Sequence, residues 1–97
     1  MRSRFIDVAG RAARHYEAQG DAETARAVYQ RALDIYPDSA RITKALIQAR
    51  IAEGDIAGAL ADYARYERMV RAQAAEAPSA TIRELIAPFL TRQSVSR

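Results

Sequence analysis

The chain has 97 residues, which suits one domain with a single core, and its composition, with only four Gly and three Pro, favours an all-α fold. The absence of Cys excludes disulfides, thiolate metal sites and a cysteine nucleophile. The net charge of +3 comes from 15 basic and 12 acidic residues interspersed along the chain, unlike the concentrated basic face of a dedicated nucleic-acid binder. No run of ~20 apolar residues and no signal-peptide core is present, so we expect a cytoplasmic protein without membrane contact.

Three helices are predicted in the first half of the chain. Apolar residues at three- and four-residue spacings predict a first helix over about residues 3–19, which Gly20 ends. Asp21 caps a second helix, and Pro37 stops it. Either Asp38 or Ser39 caps a third helix that runs to about residue 53.

Two further helices are predicted in the second half. The fourth begins after Asp55, extends to about residue 74 and should be the longest. The residues 81–84, Thr-Ile-Arg-Glu, fit a capping box for a short fifth helix over about residues 80–92. Pro88 should kink or end this helix because proline cannot donate the helical hydrogen bond. Residues 93–97 are polar and terminal, and we expect a frayed tail there.

The most informative feature of the chain is an internal repeat with a period of 34 residues. Gly20-Asp21 with Ala25 and Tyr29 recurs as Gly54-Asp55 with Ala59 and Tyr63. This period is typical of arrays of paired helices, in which the small residues let helices approach and the tyrosines fill the core. The sequence therefore predicts one domain over residues 1–92, with repeat one at about 5–37, repeat two at about 39–74 and a C-terminal capping helix.

The repeated residues carry a resemblance to a known family. At the family's intervals of small, aromatic, small and proline residues, the pattern resembles the second half of a tetratricopeptide repeat: Gly20-Asp21, Ala25, Tyr29, Ala32 and Pro37. The resemblance implies an α-α superhelix of two helix-turn-helix repeats with a capping helix. Such stacks act as protein-interaction modules, and the first helix of each repeat lines their concave face.

A second resemblance covers about residues 11–90. Two repeats are followed by a long arginine-rich helix at 61–70, the segment Glu-Ala-Pro-Ser-Ala-Thr at 76–81 and a closing apolar helix. This arrangement is similar to the bacterial transcriptional activator domain, and it implies self-association or contacts within a bacterial transcription regulator. One helix, residues 25–32, also resembles the half-repeats of RNA-processing scaffolds.

The sequence does not predict an enzyme. The sole histidine, His15, has no accompanying metal-ligand spacing and is interpreted as a helix-surface residue. The four glycines are isolated, so no phosphate-binding loop is present. We expect no catalytic residue, no cofactor and no metal site.

The candidate binding surface is the concave face that the resemblance implies. Its exposed stripe contains Asp7, Gly10 and Arg14 in repeat one and Arg41, Lys44 and Gln48 in repeat two. The candidate partner-binding residues among these are Arg14, Arg41, Lys44 and Gln48. This locally basic face suits an acidic peptide or a carboxylate terminus of a protein partner.

Two alternatives stay open. One is a homodimer formed through the ends of the stack, with exposed apolar residues at Tyr66, Val70, Phe89 and Leu90. The other is direct nucleic-acid binding, for which the nearest basic cluster is Arg2, Arg4, Arg11 and Arg14.

Overall fold

The computed structural model describes residues 2–74 and 79–95, and these form five α-helices and no strand. The helices are α1 (Arg2–Ala18), α2 (Ala22–Ile35), α3 (Ala40–Ala52), α4 (Ile56–Ala74) and α5 (Ala80–Val95). Helices α1 and α2 pack as one pair, α3 and α4 as a second pair, and α5 packs on α4 and α3. The predicted all-α, tetratricopeptide-like architecture is confirmed, and α4 is the longest of the described helices. None of these helices is both long and apolar enough to cross a membrane.

The turns inside the two helix pairs are built in the same way. Gly20 and Gly54 have φ angles of 80° and 81°, a left-handed conformation that glycine adopts without the steric penalty of a Cβ atom. The N–H of the next residue, Asp21 or Asp55, donates to a carbonyl of the preceding helix at 2.8 Å in both turns. Each aspartate then caps the following helix by accepting the N–H three residues later, at 3.2 Å and 2.9 Å. The predicted roles of these four residues are confirmed.

In the turn between the two helix pairs, Ser39 and not Asp38 caps α3. The Ser39 hydroxyl accepts the Ile42 N–H at 3.2 Å, and Ser39 is buried. Asp38 instead pairs with Arg2 at 2.7 Å. Pro37 lies between the C-cap of α2 and Ser39, as the sequence predicts.

Two apolar clusters hold the helices together, and α3 contributes to both. The first core lies among α1, α2 and α3 and consists of Ile6, Ala9, Ala13, Ala25, Tyr29, Ala32, Leu33, Ile42 and Leu46. The second core lies among α3, α4 and α5 and consists of Ile47, Ala59, Tyr63, Tyr66, Val70, Ile82 and Ile86. Burial of each large apolar side chain stabilises the fold by about 1.5–3 kcal/mol. The two repeats and the capping helix are thus joined through α3.

The start of α5 differs from the predicted capping box. The helix begins at Ala80, so Thr81 lies inside its first turn and is not the cap. Ser79 precedes the helix: its carbonyl accepts the Arg83 N–H at 3.0 Å, and its own N–H donates to the Tyr66 hydroxyl at 3.3 Å. This contact with α4 fixes the beginning of α5 before Thr81.

The prediction that Pro88 kinks or ends the fifth helix is wrong as to the end, because α5 continues through Pro88 to Val95. Pro88 and Glu84 are both exposed, so water can reach the helical carbonyl that proline leaves without a donor. Buried Ile86 and half-buried Phe89 hold the surrounding turns on the second core. The helix therefore reaches into the predicted frayed tail, of which residues 96–97 lie outside the described residues.

The end of the stack also differs from the prediction that it exposes an apolar dimer surface. Tyr66 is 4% exposed and Val70 is 9% exposed, because α5 covers both. Phe89 is half-buried, and only Leu90 of the four predicted residues is substantially exposed. The surface predicted for a homodimer is largely used inside the chain.

Candidate functional site

An open groove of about 450 Å³ runs between α1 and α3, with α2 at its floor. We call it the α1–α3 groove. Its lining comprises Arg14, Glu17, Gly20, Ala22, Tyr29, Ala45, Gln48, Ala49, Ala52 and Glu53. The small side chains of α3 leave the space, and the charged and amide side chains stand around it. The groove therefore combines an apolar floor with a polar rim.

The floor of the groove contains a buried tyrosine. Tyr29 is 2% exposed, and its hydroxyl lies 3.4 Å from Glu17 Oε1, to which it donates. Burial raises the pKa of the Tyr29 hydroxyl above its ordinary value of 10.0, and the Glu17 carboxylate acts in the same direction, whereas the Arg14 charge opposes it. The hydroxyl is therefore protonated at neutral pH and holds the Glu17 side chain at the floor.

Most charges around the groove are already paired. Glu53, at the C-terminal end of α3, forms an ion pair with Arg26 of α2. Asp7 of α1 forms another with Arg41 of α3, so the two helices are bridged at equivalent repeat positions. Arg14 is exposed and takes part in no ion pair within the described part of the chain. Arg14 is thus the cation on the rim that remains available to a ligand.

The structure divides the four predicted site residues into two pairs. Arg14 and Gln48 both line the α1–α3 groove, one from each helix. Arg41 and Lys44 do not line it: Arg41 is engaged with Asp7, and Lys44 is half-buried. The concave-face stripe is therefore split between a groove and a neighbouring ion pair.

Sequence reasoning missed several groove residues. The sequence predicts Tyr29 as a core residue whose hydroxyl reaches solvent or a polar partner, and does not predict that it lines a groove, yet its hydroxyl is part of the groove floor. Glu17 lies three residues after Arg14 and so on the same side of α1, a spacing that could have identified it. Ala45, Ala49 and Ala52 flank Gln48 at helical spacing, which could have indicated a shallow channel along α3.

Among the described residues, no three His, Cys, Asp or Glu side chains form a cluster that could hold a metal ion. His15 is exposed and its ring contacts Tyr16 edge-on at 5.6 Å, as predicted for a surface residue. The rim instead presents a guanidinium and an amide across a floor of small side chains.

A family model described as tetratricopeptide repeat matches residues 7–49, which include most of α1, all of α2 and most of α3. This match supports a tetratricopeptide-repeat protein. Tetratricopeptide repeats generally mediate protein–protein interaction and are typically non-catalytic modules. The matched residues form three sides of the α1–α3 groove. No curated protein and no solved structure matches the chain.

Proposed function

We propose that the chain is a protein-interaction module that binds an acidic segment of a partner protein in the α1–α3 groove. In this proposal the Arg14 guanidinium binds a carboxylate of the segment, and the Gln48 amide donates to it from the opposite helix. The observation that carries the proposal is the unpaired Arg14 on the rim of an open, apolar-floored groove. A guanidinium presents several donors that fit a carboxylate in a two-point contact.

The charges around the groove favour an acidic partner over a basic one. The carboxylates of Asp7 and Glu53 are already engaged by Arg41 and Arg26. Glu17 accepts from Tyr29 at the floor. An acidic segment gains an ion pair with Arg14 without displacing an existing partner, whereas a basic segment meets Arg14 as a like charge.

The direct test is Arg14→Glu, measured against Arg31→Glu. Both arginines are exposed, and neither forms an ion pair within the described part of the chain. A partner captured from the native host would be purified and its affinity measured by calorimetry. We expect Arg14→Glu to weaken binding by at least about tenfold and Arg31→Glu to leave it unchanged, since only Arg14 lines the groove. Equal affinities of the two variants would remove the groove from consideration.

Direct nucleic-acid binding is the competing function. One member of the basic cluster that suggested it, Arg2, is bound to Asp38 and lies 4.8 Å from the centre of the Tyr36 ring. Fluorescence anisotropy with a labelled DNA duplex and a labelled RNA strand would separate the functions. We expect little affinity at physiological salt; tight binding that falls steeply as salt increases would favour the nucleic-acid function.

We further propose that the chain is an interaction or self-association module of a bacterial transcription regulator, in the cytoplasm. The support is the resemblance over about residues 11–90, in which two repeats, a long helix and a closing helix follow one another. An immunoblot of the native host would decide between a stand-alone adaptor near 10.7 kDa and a module of a longer regulator. A captured partner that is a transcription regulator or a polymerase subunit would support the proposal, and an RNA-processing scaffold would contradict it.

A further inference from the structure

An apolar stripe on α1 is only partly covered by the described residues: the Phe5 ring packs against the Tyr36 ring at 5.6 Å and Ala12 is half-buried, whereas Val8 faces solvent. Phe5, Val8, Ala12 and His15 recur at three- and four-residue spacings and so share one side of the helix. Val8 is 58% exposed and Phe5 is 37% exposed, which is unusual for side chains that recur at the spacing of a packed helix. We call these four residues the N-terminal face. It lies on the opposite side of α1 from the groove residue Arg14.

The same stripe exists on α3, in the same repeat register, and there it is buried. The positions equivalent to the N-terminal face are Ser39, Ile42, Leu46 and Ala49. Ile42 is 1% exposed and Leu46 is 0% exposed, and both belong to the first core, where they pack α3 against repeat one. Val8 stands where Ile42 does. The N-terminal face therefore continues a helix-docking surface that the chain already uses once.

The rim of the N-terminal face distinguishes it from its counterpart on α3. Arg4 and Arg11 flank Val8 on its solvent side; both are exposed, and neither forms an ion pair within the described part of the chain. The equivalent residues are Asp38, which precedes α3, and Ala45 of α3, and neither is basic. An apolar stripe with a basic rim is complementary to an apolar stripe with an acidic rim.

The same arginines disfavour a second copy of the chain as the occupant. An antiparallel pairing of two α1 helices about Val8 would bring Arg4 of one copy beside Arg11 of the other. Like charges held in contact at an interface cost binding free energy. An acidic rim on a partner protein avoids this cost.

We propose that the N-terminal face docks an amphipathic helix of a partner protein, whose apolar stripe is flanked by acidic residues. The helix packs on Phe5 and Val8 as repeat one packs on Ile42 and Leu46, and its carboxylates pair with Arg4 and Arg11. This site is separate from the groove and does not depend on the function proposed for it.

The test uses a displayed library of helical peptides with a fixed leucine stripe and randomised flanking positions, selected on the wild-type chain. We expect enrichment of Asp and Glu at the flanking positions. Val8→Asp should lower the affinity of the chain for the selected peptides by at least about tenfold, as measured by fluorescence anisotropy. Ile35→Asp is the matched control, because Ile35 is also 58% exposed but lies at the end of α2. The Ile35→Asp variant should bind the selected peptides as tightly as the wild type.

Charge reversal tests the rim separately. The double variant Arg4→Glu, Arg11→Glu should weaken the selected peptides by at least about tenfold, whereas Arg31→Glu, Arg68→Glu should leave them unchanged. Arg14→Glu should also have no effect, which distinguishes this site from the groove. Failure to enrich any peptide, enrichment of neutral or basic flanks, or equal losses in the Val8 and Ile35 variants would overturn the proposal. A dimer in light scattering that Val8→Asp abolishes would also overturn it and assign the face to a second copy.

Discussion

The two helix pairs share their turns but differ inside, and at one pair of interior positions apolar side chains are exchanged for charged ones. In repeat one, Tyr16 and Val28 pack half-buried against the first core. The equivalent residues of repeat two are Arg50 and Asp62, whose side chains form an ion pair, and Asp62 is 8% exposed. The same pair of fold positions therefore holds apolar side chains in one repeat and an ion pair in the other.

The ion pair has consequences for the turn beside it. Arg50 Nη1 also donates to Asp55 Oδ2 at 3.0 Å, which draws the capping carboxylate towards position 58. A Cβ atom at Gly58 would lie 2.8 Å from Asp55 Cγ and 2.9 Å from Arg50 Cδ, closer than side chains normally approach. Repeat one has Thr24 at this position. The comparison teaches that a polar interior is accompanied by a local loss of side-chain volume.

The helices that pack on the two repeats, α3 on repeat one and α5 on repeat two, meet different residues as well. Ala32 in repeat one is small and lies in the first core, where α3 docks. The equivalent residue in repeat two is Tyr66, whose hydroxyl accepts the Ser79 N–H ahead of α5. A bulky residue with a polar end thus replaces a small one where a capping helix, and not another repeat, completes the stack.

The largest expected effect is at the tyrosine that both repeats retain. Tyr29→Ala should lower the free energy of unfolding by about 3–5 kcal/mol, because the ring is 2% exposed and packs in the first core. Tyr63→Ala should cost less, since Tyr63 is 7% exposed. Urea denaturation followed by circular dichroism measures both. Tyr29→Phe is the control, which removes only the 3.4 Å hydrogen bond to Glu17 and should cost about 1 kcal/mol; a loss as large as that of the alanine variant would contradict the packing role.

The next effect tests the interior pair directly. Asp62→Val should cost about 2–4 kcal/mol, because it leaves the largely buried Arg50 with only the exposed Asp55 as a partner. The double variant Arg50→Tyr, Asp62→Val, which installs the residues of repeat one, should lie within about 1 kcal/mol of the wild type. Urea denaturation of Asp62→Val, Arg50→Tyr and the double variant gives the free energies of unfolding for a double-mutant cycle. Additive losses would mean that the two repeats are not interchangeable at these positions.

These differences mark how far the sequence predicts the molecule. The turns at Gly20 and Gly54 and the five helices follow from local signals, namely a glycine, a capping aspartate and apolar periodicity. The burial of Tyr66 does not, because it depends on where α5 docks from a distant part of the chain. The groove can be predicted from the sequence only in part. Periodicity places Arg14 and Gln48 on one face of the stack. Whether Asp7 reaches Arg41 depends on the distance between α1 and α3, which local signals do not give.

A smaller effect tests whether the shared turns are energetically the same. Gly20→Ala and Gly54→Ala should each cost about 1–2 kcal/mol, because an added Cβ meets no atom within 4 Å at either site and only the left-handed backbone opposes it. Gly10→Ala, inside α1 and equally free of contacts, should instead stabilise the fold by about 0.5–1 kcal/mol. Thermal unfolding of the three variants measures these changes in stability. Unequal losses at the two turns would break the equivalence of the repeats.

The smallest effect is the pH dependence that the capping aspartate of repeat two, Asp55, gives to stability. The hydrogen bond from the Gly58 N–H, and then the neighbouring Arg50, lower the pKa of Asp55 below its ordinary value of 3.8, although the small desolvation of the carboxyl acts the other way. A folded-state pKa below the unfolded one means that the contribution of Asp55 to stability is complete above about pH 4 and is lost as the pH falls below that value. Urea denaturation between pH 6 and pH 2.5 should therefore show a smaller acid-induced loss of stability in Asp55→Asn than in the wild type. The Arg50→Tyr, Asp62→Val variant supplies the sharper comparison, since it removes the Arg50 contact and keeps the Gly58 hydrogen bond. If its acid-induced loss of stability equals that of the wild type, Arg50 makes no contribution to the lowering of the Asp55 pKa.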